Sequence, residues 1–508
     1  MINFTPYRQI SFKGVSNPQP TSTMTSIFYI NDVHGQTGKM ESIATAAQSF
    51  DTFVKKNPKI DALKLAAGDV LIGEDPQINK AATAFLNFIG LNATTLGNHE
   101  FDIFATKLSD VIKDVKYKVV GANINFHKEL PLEKKMLRSY VQDINNQKYG
   151  IIGLQPLDLV EAMRLPDCVD GISVDTEKAT LIEVQDEVNK LKKQGVNKVI
   201  VLSHAGYDFD KTLAQKVSGV DVIVGGHTHE LLKGVEQGKN LFYSPLGEPV
   251  VLTMAGKDGN YFGVLNLEFD KNGKIVRVQN NIGKTKDYSR NLTLQTINNS
   301  ILGNSEVVGE LKLSQEPPEH LGCENPYADF TTDAMRAELD TDIALLQGGN
   351  MRGGLRQGKV TARDIQSITP FRNRMVKYKL TEDKLVEALK WGAESLKHGD
   401  GKPGYLQVSG LKYKVNTNGE LLSATFIDKK GKYKKINVNN PDSNKVYTVA
   451  LDDFCATNVL YPSLRQPKEN FIEYYDFDKD KLMVDYVKKM NGKPFEIKAD
   501  GRIKIVQA

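Results

Sequence analysis

At 508 residues the chain exceeds what one ordinary hydrophobic core fills, so two domains are expected. Its 66 basic and 62 acidic side chains leave a net charge of only +4, which excludes the lopsided charge of a dedicated nucleic-acid or membrane-surface binder. Cys168, Cys323 and Cys455 are far apart and form no C-x-x-C, so neither a disulfide framework nor a zinc knot is supported and free thiols are expected, and no apolar run reaches membrane-spanning length.

In chain order, residues 1–24 read as a flexible polar tail, because Pro18, Pro20 and many hydroxyl residues interrupt any apolar stretch. No signal peptide is visible there, which makes a cytoplasmic location the default expectation. From Thr25 short apolar runs alternate with amphipathic stretches. Strands are expected at 26–31, 63–67, 93–96, 118–122, 150–154, 198–203 and 220–224, with helices at 40–54 and 78–89 between some of them. That alternation predicts an α/β domain whose strands feed loops at their C-terminal ends. The glycine-broken run 249–270 reads as paired strands closing the domain, and the residues after Asp270 as polar turns leading to a helix near 293–301. The catalytic domain is therefore drawn at 25–285, a connector at 286–309 and a second domain at 310–508. The second domain is again mixed, with helices at 329–339 and 382–396, a strand at 341–346, and short strands turned at Asn418-Gly419 and Lys430-Gly431.

Five of the eight histidines lie in short polar motifs directly after expected strands. The motifs are Asp32-Val33-His34, Gly68-Asp69, Gly97-Asn98-His99-Glu100-Phe101-Asp102, Ser203-His204 and Gly225-Gly226-His227-Thr228-His229. Polar side chains that follow buried strands gather at one edge of a sheet, where open α/β folds place their ligands. Imidazole together with carboxylate suits Zn, Mn, Co or Fe, whereas calcium favours an all-oxygen shell. Asp32, His34, Asp69, Asn98, His204, His227 and His229 are too many ligands for one tetrahedral ion. They suffice for two divalent ions if one carboxylate bridges, an arrangement suited to displacement at phosphorus. His99 and Asp102, three residues apart on a starting helix, share a face as a dyad.

This ordered set resembles the calcineurin-like metallophosphoesterases, and within them the 5′-nucleotidase/apyrase family. The second half is similar as well, in Gly348-Gly349-Asn350-Met351-Arg352, Thr369-Pro370-Phe371-Arg372-Asn373 and Gln407-Val408-Ser409-Gly410-Leu411. The resemblance implies an N-terminal four-layer αββα sandwich and a smaller mixed α/β C-terminal domain that binds the nucleoside. It implies a bridging Asp69, with Asp32, His34 and His229 completing one metal and Asn98, His204 and His227 the other. His99 and Asp102 would then be catalytic, and Gln347, Arg352, Phe371, Asn373 and Phe454 would bind substrate. The implied activity is hydrolysis of nucleotide-type phosphate monoesters by a metal-activated water. The implied partner is a small molecule, neither a nucleic-acid polymer nor a membrane.

Several positions depart from the family pattern. Gln347 replaces the usual Asn, Cys323-Glu324 lacks the preceding arginine, and Thr457–Tyr461 stands where a ribose-binding G-G-D-G loop is expected. Arg352, Arg356, Arg372 and Arg374 offer guanidinium forks that suit phosphate oxygens in compensation. Family members are usually exported, and no leader is seen here. Two rival readings stay open. One is a 2′,3′-cyclic-nucleotide phosphodiesterase or UDP-sugar pyrophosphatase with the same metal chemistry. The other is a non-catalytic metal- or nucleotide-binding module, against which the full ligand set and the dyad argue.

Overall fold

The structure, a computed structural model, describes residues 10–11, 22–73, 75–163, 166–318, 320–371, 373–397, 403–457 and 460–508. The chain divides into two compact units, Met1–Asn304 and Ser305–Ala508.

The first unit runs through β1 (Thr23–Ile30), α1 (Thr37–Lys56), β2 (Ile60–Ala67), α2 (Pro76–Phe88), β3 (Ala93–Thr95), β4 (Lys118–Val120) and β5 (Gln147–Leu154). It continues with α3 (Glu177–Lys193), β6 (Lys198–Ser203), α4 (Tyr207–Lys216), β7 (Val222–Gly225), β8 (Pro249–Thr253), β9 (Tyr261–Phe269), β10 (Ile275–Lys284) and α5 (Leu292–Leu302). β1 to β4 form the parallel heart of one sheet, flanked by antiparallel β9 and β10. β5 to β8 form the parallel heart of a second. Successive strand side chains point to opposite faces, and the core follows that rule. Phe28 and Ile30 of β1 pack with Met40 and Phe50 of α1 and Phe85 of α2. Their neighbours Ile27 and Tyr29 face Tyr149, Ile200 and Val222 of the second sheet. On the outer side of that sheet, Ile152, Val201 and Ile223 pack with Val184 and Leu191 of α3 and Leu213 of α4. The layers are therefore helix, sheet, sheet, helix. α2 starts where Asp75 accepts the N–H groups of Gln77 and Ile78 ahead of Pro76, a residue well suited to a first helical turn.

Two expectations need correction. The run 249–270 does not form one pair of strands, because β8 joins the second sheet and β9 the first. The segment 254–260 crosses between them and carries Asp258 with it. The polar stretch after Asp270 contains the strand β10. Its buried Asn280 fits there because the amide accepts from the Tyr29 hydroxyl and donates to the Leu232 carbonyl. Of the expected tail, residues 1–9 and 12–21 lie outside the described residues, and Ile10–Ser11 pairs with β10.

The second unit contains β11 (Val307–Ser314), α6 (Pro326–Glu338), β12 (Ile343–Gln347), β13 (Arg374–Thr381), α7 (Glu382–Glu394), β14 (Leu406–Ser409) and β15 (Leu411–Asn416). After these come β16 (Leu421–Ile427), β17 (Tyr433–Ile436), β18 (Val446–Asp452), β19 (Phe471–Asp478), α8 (Lys479–Lys489) and β20 (Ile503–Val506). A five-stranded sheet ordered β14-β12-β18-β13-β19 packs Leu345, Val376 and Val449 toward α7 and the four-stranded sheet β17-β16-β15-β20. Its other face packs Ala344, Leu346 and Ala450 toward Met335 of α6 and Met483 of α8. Among the described residues no helix is long and apolar enough to cross a membrane.

A fully buried ion pair holds this unit together, with Lys479 Nζ 2.6 Å from Asp452 Oδ2. The same carboxylate accepts from Asn350 at 3.1 Å, Asn373 at 3.2 Å and the Cys455 N–H at 2.8 Å. Burial opposes the Asp452 charge, and Lys479 with these donors outweighs it, lowering the pKa. The stabilisation is therefore present above the ordinary carboxylate range and is lost as pH falls through the lowered value. Lys479→Met leaves that carboxylate buried and unpaired, and should cost about 3–5 kcal/mol in denaturant unfolding. A loss below about 1 kcal/mol would contradict this assignment, since surface pairs alone reach that range.

Candidate metal centre

The polar motifs follow β1, β2 and β3 in one sheet and β6 and β7 in the other. They converge from two sheets rather than along the edge of one. Asp32, His34, Asp69, His227 and His229 all adopt left-handed backbone, at φ values of 49°, 51°, 51°, 75° and 66°. Such conformations cost of order 1–3 kcal/mol each for non-glycine residues and persist where a site requires them. Glycines make room for the cluster. A Cβ on Gly97 would lie 2.1 Å from Asp69 Oδ1 and 2.6 Å from His204 Nε2.

The Asp69 carboxylate sits at the centre. Its Oδ2 lies 3.2 Å from His204 Nε2 and 3.5 Å from His34 Nε2. Asp32 Oδ1 lies 3.4 Å from His229 Nε2 and 3.8 Å from His204 Nε2. Three overlapping groups have donor atoms within 4.8 Å of one another: Asp32, His34 and His229; Asp32, Asp69 and His204; and His34, Asp69 and His99. Asn98 and His227 are brought together beside them, with Oδ1 and Nδ1 3.1 Å apart. Asp32, His34 and His204 are fully enclosed, while His99, His227 and His229 form the partly open rim.

The donor set fits divalent cations. His204 Nε2 is buried and faces two carboxylates without hydrogen-bond geometry to either. Its other nitrogen is held 2.6 Å from the Ala67 carbonyl, and His34 Nδ1 is held 2.9 Å from Asp258 Oδ1. Anchoring of the distal ring nitrogen by carbonyl or carboxylate is the usual support of a metal-bound histidine. Burial opposes a charged His204, yet Asp69 and Asp32 outweigh it and raise the pKa to about 10. Burial also opposes the Asp69 charge, and His204 and His99 hold its pKa well below the usual range. The pocket is therefore built for positive charge. Burial pushes the rim residue His229 the other way, to about 4, which leaves a neutral, ligand-competent ring.

At the mouth, His99 Nδ1 lies 2.8 Å from Asp102 Oδ2, which also accepts the Gly73 N–H at 2.8 Å. The carboxylate can only accept, so Nδ1 carries the proton and Nε2 is left for other partners. The His99 N–H donates to Asp69 Oδ1 at 2.8 Å, tying the dyad to the central carboxylate.

Residues 25–231 match the calcineurin-like phosphoesterase family and residues 306–460 the 5′-nucleotidase C-terminal domain family. The chain thus pairs a calcineurin-like phosphoesterase domain with a 5′-nucleotidase C-terminal domain. A 5′-nucleotidase-related protein of Glossina morsitans morsitans is 28% identical, over 89% of this chain and 86% of its own length. The trifunctional nucleotide phosphoesterase protein YfkN of Bacillus subtilis is 24% identical over 98% of this chain, which spans only 36% of that relative. The crystal structure of a 5′-nucleotidase precursor from Thermus thermophilus shares the fold, with TM-score 0.75, 24% identity and coverage of 96% of this chain and 100% of its own. Divalent metal ions belong to this metallophosphoesterase domain.

In the second unit, which carries the 5′-nucleotidase C-terminal domain match, the expected substrate residues are placed unequally. Arg352 lies with Cζ 5.4 Å from the Phe371 ring centroid, and its buried Nε has no hydrogen-bond partner. Gln347 ends β12 half-buried, and Phe454 packs partly buried against the core. The Asn373 amide is taken up by Asp452 at 3.2 Å and Asn350 at 3.4 Å, in the interior rather than at a surface. Arg374 pairs with Asp476 at 2.7 Å, while Arg372 and residues 458–459 of the departing loop lie outside the described residues.

Sequence reasoning left three supporting carboxylates without roles. Glu100 is buried and accepts four backbone N–H groups, from Gly97, Asp69, Val70 and Leu71, at 2.7–3.1 Å. It thereby fixes the loop that carries Asp69. Asp258, between two glycines on the sheet-crossing segment, holds His34. Asp158, with a side chain 47% exposed, places Oδ1 3.1 Å from His227 Nε2 while Nδ1 faces Asn98. Loss of such a support usually costs 10–100-fold in metal affinity, so Asp158→Ala should weaken one metal by about that factor in chelator competition. Unchanged affinity would make the Asp158 contact incidental.

Proposed function

We propose that this protein is a two-metal hydrolase of nucleotide phosphate monoesters, a 5′-nucleotidase-like phosphomonoesterase. The observation that supports it best is the enclosed cluster of Asp32, His34, Asp69, His204 and His229 with the His99/Asp102 dyad at its mouth. Asp32, His34, Asp69 and His229 would hold one ion, and Asp69, Asn98, His204 and His227 the second. Divalent ions there supply Lewis acidity toward the phosphoryl group and make a water nucleophilic at neutral pH. Zn, Mn, Co and Fe all suit this imidazole and carboxylate set.

The chain's own groups do the rest. Asp102 fixes the His99 tautomer and ring plane, so Nε2 meets the phosphoryl group in one orientation. His99 then stabilises the charge that builds on the non-bridging oxygens. Glu100 and Asp258 keep the central carboxylate and His34 from moving as that charge develops. In the second unit, Arg352 and Phe371 recognise the nucleotide, the guanidinium through a phosphate or ribose oxygen and the ring through the base. Stacking on such a ring contributes about 1–3 kcal/mol per base. Asn373 serves as scaffold, holding the Asp452 network behind Phe371.

A hydrolysis screen with Mn, Zn or Co tests this reading, using nucleoside 5′-monophosphates, 2′,3′-cyclic nucleotides, UDP-sugars and an aryl phosphate. Nucleoside monophosphates should give the highest kcat/KM. Arg352→Ala should raise KM for them by about 10-fold, the worth of one charge-assisted hydrogen bond; an equal loss on the aryl phosphate places the guanidinium on the phosphate, and an unchanged aryl phosphate places it on the ribose. Preference for cyclic nucleotides or UDP-sugars would replace the monoesterase reading. Activity on the aryl ester alone would sink the nucleotide reading while keeping the metal chemistry.

A further inference from the structure

One corner of the second unit gathers three carboxylates, among them the buried Asp329. Glu324 precedes α6, Asp329 lies in its first turns, and Asp500 precedes β20. One carboxylate oxygen from each lies within 4.8 Å of the others. Glu324 is fixed in place, since Oε1 accepts the N–H groups of Asp500 and Gly501 at 2.8 Å and Oε2 that of Ile503 at 3.1 Å. Arg502 is committed elsewhere. Its guanidinium forks onto Asp500 at 3.1 and 3.0 Å and onto Asp333 at 2.9 and 3.0 Å, and donates to the Val408 carbonyl at 2.9 Å. Arg336, the next guanidinium, donates to the carbonyls of Asp342 and Ile427.

Asp329 is the odd member. It is 2% exposed, no donor among the described residues satisfies either of its carboxylate oxygens, and the Glu324 carboxylate lies against it. Its nearest cation is Arg502 Nε at 3.4 Å, outside hydrogen-bond geometry. Three carboxylates, Asp329, Asp333 and Asp500, thus share one guanidinium, with Glu324 beside Asp329 and Lys412 acting on Asp500. A buried carboxylate in that position requires either a proton or a further cation. Burial pushes the Asp329 pKa up to about 9, so a proton is the competitor. A proton satisfies only one pair of oxygens, whereas three converge here.

We propose that Glu324, Asp329 and Asp500 form a hard-cation site, of calcium type, that ties α6 to the start of β20. The donors are all oxygen, with no imidazole or thiolate, which selects calcium or magnesium over the metals suited to the histidine cluster. The Asp500 side chain is 47% exposed, which supplies an entry path and room for waters to complete the shell. The site is structural. Calcium should raise the melting temperature without being needed for hydrolysis.

The test uses the full chain with its catalytic metals loaded as Mn. Calorimetric titration with CaCl2 should show one saturable equivalent and a matching rise in melting temperature. Asp329→Asn should lose both while keeping aryl-phosphate hydrolysis. Asp500→Asn, at the open side, should weaken calcium at least about 10-fold and serves if the buried variant fails to fold. No calcium response in the wild type would overturn the proposal. So would an equal response in both variants, which places the ion at the Asp32/Asp69 cluster instead. A wild type blind to calcium, whose stability falls as pH rises from the carboxylate range toward about 9, would show that Asp329 keeps a proton.

Discussion

Replacing Asp69 by Asn is expected to remove bound metal and ester hydrolysis together. Every atom of this side chain that can accept is already aimed at the cluster. Oδ2 lies between His204 Nε2 at 3.2 Å and His34 Nε2 at 3.5 Å, and Oδ1 accepts the His99 N–H. An amide removes one of the two enclosed charges that favour a cation. It also places an N–H2 group against either an imidazole nitrogen or the His99 N–H, whichever way it is turned. Turnover should fall by at least about 10³-fold, equivalent to roughly 4 kcal/mol of transition-state stabilisation. Elemental analysis of the purified variant should show the metal content fall with it. The fold should survive, because Glu100 anchors the loop through the Asp69 backbone N–H rather than its side chain. Near-normal metal content with near-normal turnover would remove Asp69 from the centre of the proposed site.

Much of this site was legible because its residues announce themselves locally. A polar motif with flanking glycines after an apolar run marks a strand end, and the structure places such motifs after β1, β2, β3, β6 and β7. The supporting carboxylates were not legible for a physical reason. Glu100 acts on Asp69 across 31 residues and Asp258 on His34 across 224, and neither separation leaves a periodic trace. Asn373 shows the opposite failure. Its motif points to a base, yet the amide is drawn inward by the buried Asp452 carboxylate 79 residues away, whose partner Lys479 lies 27 residues further on. In the fold, β10 escaped because its Asn and Arg residues look like turn chemistry, and it takes the distant Tyr29 hydroxyl and Leu232 carbonyl to make a buried Asn280 tolerable. The left-handed backbone at Asp32, His34 and Asp69 is equally silent, since nothing in a non-glycine residue advertises it.

His99→Ala should lower kcat by about 10²–10³-fold, the usual loss when one preorganised donor to developing charge is removed. Metal content should stay near wild type, because Asp32, Asp69, His34, His204 and His229 remain. The counter-possibility is specific: a donor atom of His99 lies within 4.8 Å of those of His34 and Asp69. Loss of one metal equivalent in His99→Ala would therefore make this ring a ligand rather than a charge stabiliser. Asp102 separates the two cases further. Asp102→Ala abandons both the imidazole and the Gly73 N–H, whereas Asp102→Asn keeps an oxygen able to accept from each. The asparagine variant should therefore retain several-fold more activity than the alanine variant. If the dyad acts as a unit, removing both His99 and Asp102 should cost no more than removing His99 alone. Additive losses would instead mean that Asp102 acts mainly through the loop at Gly73, and that His99 works without it.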